Sequence, residues 1–226
     1  MLDLDGTLVD TLGDFEAALA VMLRALGRQP LARADIARMV GKGSENLLKL
    51  ALAQTGQSLS AIDSEAKSAL FDTAWTLYQD AYRDINGQHS RVYPGVPEGL
   101  RALRARGLPL ACLTNKPTEH ARVLLAAKGL DGFFDHVFGG DSFARKKPDP
   151  LPLLETCRAL GTAPAQTLMI GDSSNDAAAA RAAGCPVLLM TYGYNHGEPV
   201  EAVDADGCFD RLDALVARWP AWPGAA

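Results

Sequence analysis

From Pro97 onward the chain alternates short apolar runs with helical patterns, and few folds accommodate that alternation. "LPLACLT" (108–114), bounded by Gly107 and by polar residues, suits a strand covered on both faces. Thr118 stands where it can N-cap a helix carrying Val123, Leu124, Leu125 and Ala127, and Gly129 where it can end one. The pattern then repeats: "HVFGG" (136–140) as a strand, "LPLLETCRAL" as a helix stopped by Gly161, "TLMI" as a strand, "NDAAAARAA" as a helix stopped by Gly184, and "PVLLM" as a strand. Parallel strands need a crossover between them, so the alternation specifies an α/β fold, a doubly wound parallel sheet wrapped by helices.

Residues 12–92 follow another rule, with helical periodicity and no convincing strand. Phe15, Ala18, Leu19, Met22, Leu23 and Leu26 share one helical face, and Gly27 with Pro30 ends that helix. "ENLLKLALAQ" and the segment around Phe71, Trp75, Tyr78 and Tyr82 behave alike, the aromatics reading as bundle core. The expected organisation is a core domain of residues 1–11 and 93–226 with a helical cap domain, 12–92, inserted into it. "RVYPGVP" (91–97) reads as the return hinge, and the final "WPAWPGAA" as a loosely ordered tail.

Composition excludes several classes of function. A net charge of -5 offers no general basic field for nucleic acid or an anionic membrane, and no apolar run approaches a membrane span. Cys112, Cys157, Cys185 and Cys208 are scattered without CxxC spacing, which favours buried reduced thiols and a cytoplasmic location.

In open α/β sheets ligands bind beyond the carboxyl ends of the strands, so the polar residues just after each apolar run are the ones to collect. They are Asp3 and Asp5 in "DLDGT", Thr114 and Asn115 in "LTNK", Lys147 in "RKKPDP", and Asp172 with Asp176 in "IGDSSND". Singly, each has a bland reading as a turn, a helix cap or a solvated run. In this order and at strand ends, they resemble the four motifs of the haloacid dehalogenase superfamily of phosphohydrolases. "VYPGVPEGLRALRARGLPLACLTNKPT", "FGGDSFARKKPDPLPLLETCRALG" and "TYGYNHGEP" are similar to its bacterial phosphoglycolate phosphatase branch, in which a helical cap follows the first motif.

The resemblance implies that Asp3 attacks phosphorus to form an aspartyl-phosphate, while Asp5 protonates the leaving alkoxide and later takes a proton from water. It implies one Mg²⁺ held by the Asp3 carboxylate, the Asp5 carbonyl and Asp172, with Asp176 supporting from behind. Thr114 and Asn115 would meet phosphate oxygens, and Lys147 would offset the repulsion between Asp3 and a phosphate dianion. Substrate choice would fall to the cap. There "VGKGSENLL" (40–48) offers Gly41 and Gly43 for close backbone approach and Lys42 as a cation for a carboxylate, or only as a solvated side chain.

The expected substrate is a small phosphate ester, 2-phosphoglycolate first, and the protein a monomer or homodimer. Rival readings are a phosphatase for a sugar phosphate or nucleotide, a phosphoglucomutase, and a catalytically impaired binding protein. The last arises because only Met1 and Leu2 precede Asp3, where the family has an apolar strand. Several missing strand residues would cost on the order of 10 kcal/mol against a usual total of about 5 to 15. A start codon assigned too late is the expected reason. His89, His120, His136 and His196 show no metal spacing and read as surface or packing residues, with His196 the one that could line the mouth of the site.

Overall fold

The computed structural model describes residues 1–56 and 64–218. Its elements are β1 (Val9–Asp10), α1 (Leu12–Ala25), α2 (Arg33–Met39), α3 (Ser44–Thr55), α4 (Ser64–Ile85), β2 (Arg91–Val92), α5 (Val96–Ala105), β3 (Ala111–Leu113), α6 (Thr118–Ala127), β4 (His136–Phe138), α7 (Leu151–Leu160), β5 (Met169–Gly171), α8 (Ser174–Ala183), β6 (Val187–Met190), β7 (Gly207–Phe209) and α9 (Leu212–Ala217).

Strand β3 pairs in parallel with β4, and β5 with β6 and β6 with β7. Leu2 joins the two halves, bridging Cys112 on one side and Ile170 on the other, both in parallel. The Leu2 N–H donates to Ala111 at 2.8 Å and the Asp3 N–H to Ile170 at 2.9 Å. The short N-terminal segment therefore holds the middle of the sheet, between β3 and β5, with Leu2 only 1% exposed.

Successive strand residues enter opposite layers, as the pleat requires. Cys112, Ile170 and Leu188 pack with Val96, Leu100 and Leu124 on one face. Ala111, Leu113, Met169, Val187 and Leu189 pack with Leu153, Cys157 and Ala180 on the other. With both faces covered, β3, β5 and β6 are buried and apolar throughout, while the outer strands β4 and β7 are half-buried. Gly161 and Gly184 end α7 and α8 in the left-handed conformation, as their positions in sequence indicate.

Helices α1 to α4 have a core of their own, in which Phe15, Met22, Leu48, Tyr78 and Tyr82 are buried. Tyr82 stacks on both Phe15 and Tyr78 with ring centroids 5.5 Å apart.

Two local expectations are corrected. Residues 91 and 92 form a strand, β2, which pairs antiparallel with β1 through Val9↔Val92 and Asp10↔Arg91, so a two-stranded ribbon flanks the helical segment. Two residues are too few to show periodicity in sequence. Thr118 is the first residue of α6 and Pro117 its cap, because the Thr118 hydroxyl is taken by Asp141 and Ser142. The expectation for residues 219–226 lies outside the described residues. All four cysteines are free, and the sulfurs of Cys157 and Cys185 lie 3.9 Å apart between α7 and α8. Among the described residues, no helix is long and apolar enough to cross a membrane.

Candidate active site

The loop after Leu2 turns back on itself. The Leu8 and Val9 N–H groups both donate to the Leu4 carbonyl, and the Gly6 N–H donates to Val9. Gly6 has a φ of +86°, and a Cβ there would lie 2.2 Å from Asp172 Oδ2. Only glycine combines that backbone with so close an approach. The turn brings Asp3, from the middle of the sheet, against Asp172 at the end of β5.

Three carboxylates, those of Asp3, Asp172 and Asp176, present oxygens within 4.8 Å of one another, and all three residues are buried. Each is anchored differently. Asp172 accepts the Thr7 hydroxyl at 2.9 Å and the Tyr194 N–H at 2.6 Å. Asp176 sits in the first turn of α8 and closes a capping box with Ser173. Its Oδ2 accepts the N–H groups of Asp172 and Ser173 and the Ser173 hydroxyl, while Oδ1 takes Lys147 Nζ at 2.7 Å. Both Asp176 oxygens are thus spent on the protein. Asp3 is different. Lys147 Nζ lies 3.0 Å from its Oδ1, near enough for an ion pair, yet it is off hydrogen-bonding geometry, and the buried oxygen has no donor.

The electrostatics follow from burial. Burial pushes the Asp3 carboxyl up to about 7, with Lys147 only partly opposing it. Burial, reinforced by Asp176 and Asp3, raises Asp172 well above the ordinary carboxylate range. At Lys147 burial works against the charge, but Asp176 and Asp3 outweigh it and raise its pKa. Asp5 pairs with Lys116, whose Nζ lies 2.9 and 3.1 Å from its two oxygens. Three carboxylates share the one ammonium of Lys147, an excess of acidic groups over basic ones that the upward shifts at Asp3 and Asp172 express. Such an excess is costly to bury without a counter-charge, and an all-oxygen donor set with an orphaned oxygen on Asp3 fits a hard divalent cation.

The residues predicted from the sequence occupy distinct places. Asp3, Asp5, Thr114 and Asn115 line one cavity with Gly41 and Gly43 of the cap segment. The Asp5 carboxylate is held by Lys116 through both oxygens and is not one of the three clustered carboxylates, so the metal contact implied for Asp5 would fall to its backbone carbonyl. Asn115 Nδ2 donates to the carbonyls of Lys147 at 2.8 Å and Gly41 at 3.1 Å, which ties two loops together in this state. Lys42 is exposed and lines a separate hollow with Glu45, Asn46 and Lys49. His120 packs on the Tyr82 ring and His136 on Phe138, while a side chain at Gly41 would meet the ring of His196.

Sequence reasoning missed four participants. Lys116 follows "LTN" directly, and its place beside two strand-end residues was the available signal. Thr7 and Tyr194 hold Asp172 from loops with no motif of their own; Asn175 Nδ2, also unforeseen, meets the Gly41 carbonyl at 3.1 Å.

Comparison with known proteins identifies the family and the fold. The family model for haloacid dehalogenase-like hydrolases matches residues 1–184. The chain is 45% identical to a phosphoglycolate phosphatase of Thiobacillus denitrificans, over 94% of this chain and 91% of that protein. It is 46% identical, with the same coverage, to a phosphoglycolate phosphatase of Nitrosospira multiformis. The crystal structure of a predicted phosphoglycolate phosphatase from Haemophilus somnus superposes with a TM-score of 0.87 at 33% identity, covering 96% of this chain and 95% of that one.

Proposed function

The chain belongs to the haloacid dehalogenase-like hydrolase family, and from that membership we propose that it hydrolyses a phosphate monoester, 2-phosphoglycolate, to glycolate and phosphate. The observation that carries the reading is Asp3: a buried carboxylate with one oxygen free of donors, beside Lys147 and at the wall of a cavity. Phosphate-ester hydrolysis is among the slowest uncatalysed reactions, so a placed nucleophile and charge neutralisation are what a catalyst must supply.

Asp3 attacks phosphorus in line, the bond from phosphorus to the ester oxygen breaks, and the alkoxide takes a proton from Asp5. Water then attacks the aspartyl-phosphate, Asp5 takes its proton, and phosphate leaves as the Asp3 carboxylate is restored. Lys147 holds positive charge beside Asp3 as the dianion approaches, and the Thr114 hydroxyl is available to a phosphate oxygen. Asp3, Asp172 and the Asp5 carbonyl would hold Mg²⁺, which when bound supplies positive charge to the phosphate oxygens. Asp176 acts behind them, fixing Lys147 and the start of α8.

The cavity is small, about 30 Å³, room for about two waters, so the cap segment must move to admit any ester. A short leaving group fits it better than a sugar or a nucleoside. The free thiols are in keeping with a cytoplasmic setting.

The test is phosphate release with and without Mg²⁺ from 2-phosphoglycolate, glucose 1-phosphate and a nucleoside monophosphate. We expect Mg²⁺-dependent release, fastest from 2-phosphoglycolate and lost in Asp3→Asn. No release from any ester overturns the phosphatase reading, and a faster sugar phosphate or nucleotide overturns the substrate.

A further inference from the structure

We propose that Lys116 is the specificity residue of this site: its ammonium receives the carboxylate of the leaving group, taking it in exchange for Asp5. The inference rests on the phosphatase reading and extends it to a residue of this chain.

The geometry singles out this lysine. Lys116 is 5% exposed, and it is the one cationic side chain among the described residues that line the cavity with Asp3 and Asp5. Lys147, the other buried ammonium nearby, is spent on Asp3, Asp176 and the Leu113 carbonyl. Lys42 and Lys146 line other hollows. Lys116 Nζ lies 4.7 Å from the Phe15 ring and 4.8 Å from that of Tyr82, so α1 and α4 of the cap form an aromatic seat for the cation.

The position matches the chemistry of a two-carbon leaving group. An acid that protonates the ester oxygen must touch it, and in 2-phosphoglycolate the carboxyl carbon is two bonds from that oxygen. A cation in contact with Asp5 is therefore within hydrogen-bond reach of the substrate carboxylate. When Asp5 turns to the ester oxygen, Lys116 loses its partner, and removing one member of a buried ion pair is strongly unfavourable. A substrate carboxylate replaces that partner, whereas a neutral leaving group leaves the ammonium stranded. Discrimination thus comes from a buried charge that one class of substrate satisfies.

The experiment compares 2-phosphoglycolate with 2-hydroxyethyl phosphate, which has a neutral end, in the full chain with Mg²⁺, for the parent, Lys116→Met and Lys116→Gln. Lys116→Met loses the contact to Asp5 and Lys116→Gln weakens it by removing the charge, so the readout is the ratio of kcat/KM values for the two esters, in which a loss common to both cancels. We expect the ratio to fall about 10- to 100-fold, the range for a hydrogen-bonded charge pair. We also expect inhibition by glycolate, which needs no turnover, to weaken similarly. Lys116→Gln keeps a donor for Asp5, so a folded Gln variant with an unchanged ratio and unchanged glycolate inhibition overturns the proposal. A parent that hydrolyses neither ester instead refutes the phosphatase reading on which this one rests.

Discussion

Tyr194 holds Asp172 and Asp10 at once. Its backbone N–H donates to Asp172 Oδ2 at 2.6 Å, while its phenol donates to Asp10 Oδ1 and accepts the Leu12 N–H at 3.1 Å. Asp10 lies in β1, at the junction between the sheet and the helical segment, and Asp172 in the acidic cluster. Tyr194 thus connects the candidate metal centre to the junction with the helical segment.

Tyr194→Phe removes only the phenol end of that link. The backbone bond to Asp172 survives, so cation binding should stay within two-fold of the parent, while stability falls by about 1 kcal/mol for the lost hydrogen bonds. Urea unfolding and Mg²⁺ titration together check this, and a large loss of affinity would mean that the phenol acts on the cluster itself.

Lys147 is buried among Asp3, Asp176 and the Leu113 carbonyl. Lys147→Met keeps much of the volume and removes the charge, leaving the carboxylates wholly uncompensated. Breaking a buried pair in this way costs about 3 to 5 kcal/mol, a large share of a typical total. Denaturant unfolding of the cation-free protein should show that loss, and added Mg²⁺ should recover part of it. A variant as stable as its parent would show that the cluster carries less charge than its geometry implies.

The cluster itself predicts linkage between cation and stability. With Mg²⁺ at about 100 times its dissociation constant, the folded state gains about 2.7 kcal/mol, and chelation removes that gain. Asp172→Asn should abolish the upward shift in Tm, whereas a lysine-to-alanine change at the exposed Lys42 should leave it intact. A Tm indifferent to Mg²⁺ in the parent would sink the metal assignment without any turnover measurement.

The parts of this molecule legible in sequence are those written locally. The strands β3, β5 and β6 are short apolar runs with both faces covered, and Gly161 and Gly184 stop their helices by a conformation that glycine adopts without strain. Asp3, Thr114 and Asp172 were visible because a polar residue ending such a run faces the ligand edge of the sheet. What could not be read depends on partners far along the chain. The seat of Lys116 is made by Phe15 and Tyr82, which an aromatic stripe identifies as core but not as neighbours of a cation. The N-terminal residues are too few to show a period, and their place between the sheet halves comes from distant partners: Leu2 exchanges hydrogen bonds with Ala111 and Leu113 of β3, while the Met1 carbonyl and the Asp3 N–H pair with Ile170 of β5.

His120 supplies a pH dependence independent of the metal. Burial, followed by the nearby Lys116, lowers its pKa; Arg83 adds to this, while Glu119 and Asp141 oppose it. A histidine depressed in the folded state favours folding when neutral. Its contribution is present above the unfolded value of about 6.5 and is lost as pH falls through the lower folded value. His120→Gln, which cannot charge, should lose less Tm between pH 7 and pH 5 than the parent does. His196, depressed by burial and by Lys42, keeps some slope in the variant. Identical pH profiles would exclude His120 as a contributor.

Beside the candidate site, the segment 40–48 meets the sheet loops at the Gly41 carbonyl, to which Asn115 and Asn175 each donate at 3.1 Å. Because the cavity beneath it has room for only about two waters, we expect that contact to open for substrate entry and to close again to keep water from the reaction. Asn175→Ala removes one of the two donors and leaves Asn115 in place. Losing one net hydrogen bond of about 1 kcal/mol shifts the balance toward the open form by about five-fold. Amide exchange at residues 41–44 should speed up by that factor. KM for 2-phosphoglycolate should rise where closure strengthens binding, and kcat should rise where reopening limits turnover. Unchanged exchange in the variant would show that the carbonyl is not a latch and that closure is held instead by the aromatic seat around Lys116.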